Sequence, residues 1–286
     1  MALDNFIPTV WSARLLAALH KNLVYGQPDV INRDYEGDIA QAGDTVKIGG
    51  IGPVTVSSYT KNSNMSAAET LADSSTVLTI DQAKYFNFQV DDIDKAQTKP
   101  KVMDDAMGEA AYALRDNIDQ SVAGLYTDAS ATNLIGTTAS PKTDAATAGQ
   151  PYVYLTQLRQ KLDEANVPDD GTRFVIIPPW YETYLLQDSK FVANAASAPD
   201  STIRNGQIRT VLGMNVLKSN NVPNTSNTKY RIVAGHRMAW SLAVQVNKIE
   251  AYRMELRFAD AVKGLVLYGR KVTRASALAV LCINPT

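Results

Sequence analysis

An apolar stripe at helical spacing runs from Pro100 to Tyr126 and predicts one long α-helix. Its core positions recur at steps of three and four residues: Met103, Met107, Ala110, Leu114, Ile118 and Val122. The opposite face carries acidic residues and is expected to stay in water (Asp104, Asp105, Glu109, Asp116 and Asp119). At 1.5 Å per residue this helix would be roughly 40 Å long, so the rest of the chain must be arranged along it.

The region before the helix has the alternating pattern of β-strands. Val46 and Ile48 alternate with polar residues, and Leu78 and Ile80 repeat the pattern on the return side. The residues between the two runs, Ser57 to Ser75, are mostly small and polar. The pattern predicts a long β-hairpin with an irregular tip. Since a two-stranded ribbon is marginally stable alone in water, the hairpin must pack on its own chain or on another subunit.

Residues 1–34 are interpreted as an N-terminal arm. A short amphipathic helix is predicted there, with Trp11, Leu15, Leu19 and Leu23 on one side, and an extended segment follows Pro28. The apolar side of that helix requires a covering surface, which belongs either to the same chain or to a neighbour.

After the long helix the chain is predicted to form a loop or weak hairpin, a compact α/β lobe and a returning sheet. The lobe, residues 152–225, combines a helix through Leu155 and Leu162 with buried strands at 174–177 and 214–218. The last part contains a short helical piece at 237–243, strands near 246–258 and 265–272, and an apolar run at 277–283. The fold class predicted from these elements is α+β.

The composition excludes several classes of protein. The 286 residues include 28 basic and 29 acidic ones, a balance that argues against a protein whose main task is to grip nucleic acid. No apolar run reaches the roughly 18 residues of a membrane span, and the N-terminus does not have the pattern of a signal peptide. A single cysteine, Cys282, lies in an apolar run and is expected to be buried.

No catalytic, cofactor-binding or metal-binding motif is found in the sequence. His20 and His236 lack cysteines or carboxylates at ligand spacing, and Gly49–Pro53 lacks the lysine and the helix of a phosphate loop, so it is interpreted as a strand-end turn. Acidic pairs such as Asp169-Asp170 are explained by turns and helix starts. We therefore expect neither a cofactor nor a metal, and a protein that is not an enzyme.

The order of these parts resembles the major capsid protein of tailed bacteriophages, with its Hong Kong 97-type fold. The local sequences that carry the resemblance are Asp38-Ile39-Ala40, Gly43-Asp44-Thr45-Val46, Val77-Leu78-Thr79-Ile80-Asp81, Asp91-Asp92-Ile93-Asp94-Lys95-Ala96-Gln97, Asn166-Val167-Pro168, Arg173 to Trp180, Asn205-Gly206, Val211 to Val216, and Ser219 to Pro223. Each is weak alone, and their order over nearly the whole chain is fairly specific.

The resemblance implies a division of the chain into six parts. They are an N-terminal arm (1–34), an extended loop with peripheral-domain strands (35–97), a spine helix (98–127), a connecting loop (128–151), an axial α/β domain (152–228) and return strands shared by the axial and peripheral domains (229–286). The extended loop would lie over an adjacent subunit, with the assembly contacts placed on Tyr59, Lys61, Met65, Glu69 and Leu71.

The implied function is self-assembly, as hexamers and pentamers, into an icosahedral shell around double-stranded DNA that is held without specific recognition. The expected location is the virion, after assembly in the host cytoplasm, and no membrane is involved. Since the arm begins within a few residues of Met1, a separate scaffolding protein is expected, or none. A portal is expected as a further partner, and a decoration protein is an open possibility.

Two other functions stay open from the sequence. One is the shell of a bacterial nanocompartment of the encapsulin type, which has the same fold and encloses an enzyme instead of a genome. The other, from a different class, is a soluble α/β enzyme that uses residues 152–225 as its catalytic lobe.

Overall fold

The computed structural model describes residues 24–36, 44–51, 54–62, 64, 67, 70, 73–91, 102–188 and 210–285. In this part of the chain the α-helices are α1 (Val102–Ala123), α2 (Gln150–Glu164) and α3 (Pro179–Gln187). The strands are β1 (Thr45–Ile51), β2 (Asp73–Thr79), β3 (Gln82–Asp91), β4 (Leu134–Ile135), β5 (Arg173–Ile177), β6 (Thr210–Val211), β7 (Met214–Lys218), β8 (Asn224–Thr225), β9 (Lys229–His236), β10 (Trp240–Arg253), β11 (Ala259–Val272) and β12 (Leu278–Ile283).

A mixed seven-stranded sheet organises the second half of the chain, in the order β4-β12-β9-β5-β7-β6, with β8 paired to β9. The pairs β12/β4 and β5/β7 are parallel, and the others are antiparallel. All residues of β5 and β12 are buried, as expected for strands covered on both faces, which have continuous apolar sequences. The predicted α/β lobe is therefore not a separate unit, because its sheet includes strands from 134–135, 229–236 and 278–283.

A three-stranded antiparallel sheet, β10-β11-β3, lies against helix α1. Tyr268 of β11 is buried and its hydroxyl donates to Asn117 Oδ1 of α1 at 3.3 Å. Val262 and Val266 lie on the same face of β11 and are buried in the main core, as is Ile249 of β10. The long strands β10 and β11 thus place α1 beside the main core.

Helix α1 occupies most of the predicted stretch, beginning at Val102 and passing into a 3-10 turn at Gly124–Asp128. Leu114, Ile118 and Val122 are buried, and Met107 and Ala110 are half-buried. The side chain of Met103 lies outside the described residues. One prediction for the helix is wrong: Asp119, assigned to the wet face, is only 4 % exposed.

Strands β1 and β2 form the predicted long hairpin, with Lys47 opposite Val77. A small apolar cluster anchors its base on the three-stranded sheet: Leu78, Ile80, Ala243 and Leu267, with Val46 and Ile48 packed against them. Gly269 permits this close approach, because a Cβ there would overlap the carbonyl oxygen of Thr79. Gly49 to Ile51, interpreted as part of a turn, belong to β1; Gly52 and Pro53 lie outside the described residues.

Two further predictions of local structure are corrected. The helical piece predicted at 237–243 is a 3-10 turn of three residues, Arg237–Ala239, followed directly by β10, because pairing with β11 outweighs the helical propensity of this segment. The loop predicted at 128–151 contains the short strand β4, which extends the large sheet beside β12.

Trp240 connects the N-terminal segment 24–36 with the seven-stranded sheet. Its fully buried ring stacks on Phe174 at 5.6 Å between centroids and meets Tyr25 edge to face at 6.2 Å. Its indole nitrogen donates to the carbonyl oxygen of Val30 at 2.7 Å. One side chain therefore holds the N-terminal segment, β5 and the start of β10 together.

We predict that Trp240→Ala lowers the free energy of unfolding by roughly 3–5 kcal/mol, the usual cost of removing a buried aromatic ring. Trp180→Ala is the matched control, since Trp180 is only half-buried and its loss should cost less. Chemical denaturation of the two variants measures the difference. Equal losses in the two would contradict the role assigned to Trp240.

Candidate assembly surfaces

The described part of the chain groups large exposed apolar side chains on two projecting segments, and others lie singly at Val77, Tyr85, Tyr112 and Leu134. The first follows β1, where Val54, Val56 and Tyr59 are exposed, Val56 to 94 %. The second is the turn between β10 and β11, where Leu256 and Phe258 are 95 % and 80 % exposed. Exposed apolar groups concentrated on projections are typical of surfaces that are covered by a partner.

The predicted assembly residues are only partly within the described structure. Tyr59 and Lys61 are exposed on the first projecting segment. The other extended-loop residues, Met65, Glu69 and Leu71, lie outside the described residues, as do the arm residues Trp11, Leu15, Leu19 and Leu23. Leu256 and Phe258 were missed by sequence reasoning, although their alternation with Glu255 and Arg257 was a visible signal of a strand end with an apolar edge.

A groove of about 470 Å³ lies on the face of the three-stranded sheet that carries the hairpin base, and it is lined by Tyr85, Asn87, Lys248, Glu250, Lys263, Gly264 and Leu265. Glu250 pairs with Lys248 and, at 2.9 Å, with Lys263. Hydrogen bonds from these two lysines hold the pKa of Glu250 below its usual range. The hydrogen bond to Glu250 likewise raises the pKa of Lys263. The groove therefore combines apolar lining with charged groups, and its two lysines share the single carboxylate of Glu250.

Asp119 of α1 forms a buried junction between three parts of the chain. Its Oδ1 accepts the backbone N–H groups of Val24 at 2.9 Å and Tyr25 at 2.8 Å. Its Oδ2 accepts from Nδ2 of Asn221, which also donates to Asp116 Oδ1 at 2.7 Å. The N-terminal segment, the long helix and the loop after β7 thus meet at one carboxylate.

Burial raises the pKa of Asp119, and the hydrogen bonds from Asn221, Tyr25 and Val24 oppose that rise. The carboxylate accepts the backbone N–H groups of buried Tyr25 and half-buried Val24, so the position of Asp119 is set by these hydrogen bonds and not by contact with water. The sequence contains a weak signal that Asp119 is buried. Asp119 adjoins Ile118 and lies four residues after Arg115, also buried, at the margin of the apolar stripe.

His236, Asp170 and Thr172 form the cluster most similar to a catalytic site. His236 Nδ1 accepts the N–H of Met238 at 3.2 Å, so the ring proton is on Nε2, which faces Asp170 Oδ1 at 3.1 Å and Thr172 Oγ1 at 2.5 Å. Hydrogen bonds from Thr172 hold the pKa of Asp170 at about 2. In this tautomer Nε2 has no lone pair to take a proton from Thr172, so the cluster closes a turn and does not activate a nucleophile.

Other kinds of site are not found in the described residues. No group of three or more His, Cys, Asp or Glu side chains there could hold a metal ion. Among the same residues, no helix combines the length and the apolar character needed to cross a membrane. Cys282 is buried as predicted, and burial raises the pKa of its thiol.

Comparisons with known proteins give consistent results. A family model described as phage capsid protein matches residues 72–280. A solved structure from Mycobacterium phage Che8 is 28 % identical, with a TM-score of 0.72 over 98 % of this chain and 94 % of that one. The capsid structure of cyanophage P-SCSP1u is 17 % identical, with a TM-score of 0.70 over 86 % and 85 % of the two chains.

The fold is also similar to that of a different kind of assembly. The holo-SrpI encapsulin complex from Synechococcus elongatus PCC 7942 has a TM-score of 0.54 at 13 % identity, over 86 % of this chain and 84 % of that one. At this identity the similarity concerns the fold alone. No curated protein matches the sequence.

We predict that Asp119→Ala destabilises the chain by about 2–4 kcal/mol, because the backbone N–H groups of buried Tyr25 and half-buried Val24 lose their acceptor. Asp119→Asn should recover part of the loss, since its remaining oxygen still accepts both N–H groups, whereas its new amide group faces the donating amide of Asn221. Asp128→Ala, at an exposed position just after the helix, is the control. Denaturant titration measures all three, and Asp119→Ala with the stability of Asp128→Ala would exclude the junction.

Proposed function

The chain belongs to the phage capsid protein family and is a major capsid protein of a tailed bacteriophage, and we propose that its copies form the hexamers and pentamers of an icosahedral shell around double-stranded DNA. Its fold is the α+β, Hong Kong 97-type capsid fold. The observation that carries the proposal is the family match over residues 72–280, which spans the hairpin's second strand, the long helix and both sheets.

The projecting hairpin supports the proposed contacts between subunits. Its base is fixed on the body by the cluster of Leu78, Ile80, Ala243 and Leu267. Beyond β1 the segment 54–60 is exposed throughout and carries Val54, Val56 and Tyr59. Contact between a neighbouring subunit and this surface is favourable in free energy, because the apolar side chains are removed from water. We assign Tyr59, Lys61, Met65, Glu69 and Leu71 to this contact.

The arm is assigned a role in contacts between subunits as well. Val24 and Tyr25, the first described residues of the chain, are held on the body by Asp119. The arm residues Trp11, Leu15, Leu19 and Leu23 would then cover, or be covered by, an adjacent subunit. Identical chains of near-zero net charge can approach one another without strong repulsion.

The remaining partners are part of the proposal. They are a separate scaffolding protein, a portal, a decoration protein on some shells, and packaged DNA that is bound without sequence recognition. We place assembly in the host cytoplasm and the finished subunit in the virion, and we assign no enzymatic activity, cofactor or membrane contact to the chain.

A nanocompartment shell is the second candidate, favoured by the similarity to the encapsulin fold. The content of particles purified from the native source distinguishes the two functions. Double-stranded DNA is expected inside a phage shell and an enzyme inside a nanocompartment. A chain that stays monomeric during size exclusion and is stabilised by a small ligand would instead support the α/β enzyme.

We predict that replacing residues 54–71 by an Asn-Gly turn leaves a folded chain that forms no shells. Val56→Asp should have the same effect, because the charge is harmless on a free subunit and costly once the contact is covered. Ser58→Asp, which adds the same charge at an exposed polar position, is the control and should assemble.

Circular dichroism and thermal melting report the fold, and sedimentation with negative-stain microscopy reports the shells. Normal shells from the shortened chain would show that the projecting segment is not an assembly contact. Loss of the melting transition in the shortened chain would instead mean that the segment belongs to the core.

A further inference from the structure

Three basic residues are exposed at the corner where the chain passes between the two large sheets. Arg237 begins the 3-10 turn between β9 and β10, Lys271 lies near the end of β11, and Arg274 follows it. The corner is compact, because Arg274 N donates to the carbonyl oxygen of Ala239 at 2.9 Å and Arg274 Nη1 contacts Met238 Sδ at 3.7 Å. We call Arg237, Lys271 and Arg274 the basic corner.

The basic corner has no acidic partner among the residues that the structure describes. No carboxylate of the described residues lies within 4.0 Å of its three cationic groups, whereas Arg159, Arg173, Lys218, Lys248 and Lys263 all form ion pairs elsewhere. Asp170 contacts His236, which precedes Arg237, and its carboxylate stays ionised while it accepts hydrogen bonds from Thr172 and His236. The chain carries a net charge of only −1, so the basic corner is a local concentration of positive charge.

The surroundings of the basic corner indicate what it binds. The exposed large apolar side chains lie on other segments, such as those with Val56, Tyr85 and Phe258, and none belongs to 236–241 or 270–276. Protein interfaces usually have an apolar centre, which this surface lacks. Exposed arginines whose guanidinium groups have no carboxylate partner match phosphate oxygens, which they can contact with two parallel hydrogen bonds.

We propose that the basic corner contacts the phosphate backbone of double-stranded DNA inside the shell. This inference rests on the proposed function and deepens it, since it names where the packaged DNA touches each subunit. The contact is independent of sequence, because it reaches phosphates and offers no aromatic group or amide to read bases. Repeated over many subunits, a weak contact of this kind tethers the outer layer of DNA.

The test measures binding of a fluorescent 20-base-pair duplex of random sequence to soluble subunits by anisotropy, over a series of salt concentrations. Arg237→Gln/Arg274→Gln should lower the slope of log affinity against log salt by about two, since each lost phosphate contact removes about one. Near 0.1 M salt the same change corresponds to a roughly 10- to 100-fold weaker affinity. Arg237→Lys/Arg274→Lys keeps the charge and should retain most of the binding.

The control is Lys142→Gln/Lys229→Gln, which removes two positive charges on the seven-stranded sheet. An equal loss in this control, or no loss in the arginine variant, would overturn the proposal. Binding of polyglutamate without binding of DNA would also overturn it and point to an acidic protein. Shell formation of every variant is scored separately by sedimentation, so a failure of assembly is distinguishable from a failure of DNA binding.

Discussion

The buried carboxylate of Asp119 is the contact on which the arrangement of the subunit depends. It accepts two backbone N–H groups of the N-terminal segment and one side-chain amide from the loop after β7, while it stays on the long helix. Its burial disfavours the charged form, so the position persists only because these donors satisfy it. The carboxylate therefore fixes the point from which the arm leaves the body.

The projecting segments differ from the Asp119 junction, because most of their side chains are exposed. The hairpin is held at its base by a small cluster beside Gly269, while Val56 and Tyr59 remain in water. The subunit thus combines a body, in which Trp240 and Asp119 fix the positions of the sheets and the long helix, with segments whose apolar side chains are exposed. This division is what a subunit needs if identical copies are to meet in repeated ways.

The sequence predicted the elements whose own pattern is strong. The stripe of Leu114, Ile118 and Val122 predicted the long helix, and the alternation of Val46 and Ile48 predicted the hairpin. It could not predict Asp119 as buried, because the donors that compensate it come from residues about 95 and 102 positions away. The start of strand β10 was predicted to be helical for a similar reason, since only its pairing with β11 makes that segment a strand.

Amide hydrogen exchange of soluble subunits tests whether the Asp119 junction is built before assembly. We expect the amides of Val24 and Tyr25 to exchange as slowly as those of Leu114 and Ile118 in the long helix, while the amides near Tyr59 exchange fast. Exchange of Val24 and Tyr25 as fast as that near Tyr59, with the helix still protected, would show that Asp119 does not hold the N-terminal segment in the free subunit.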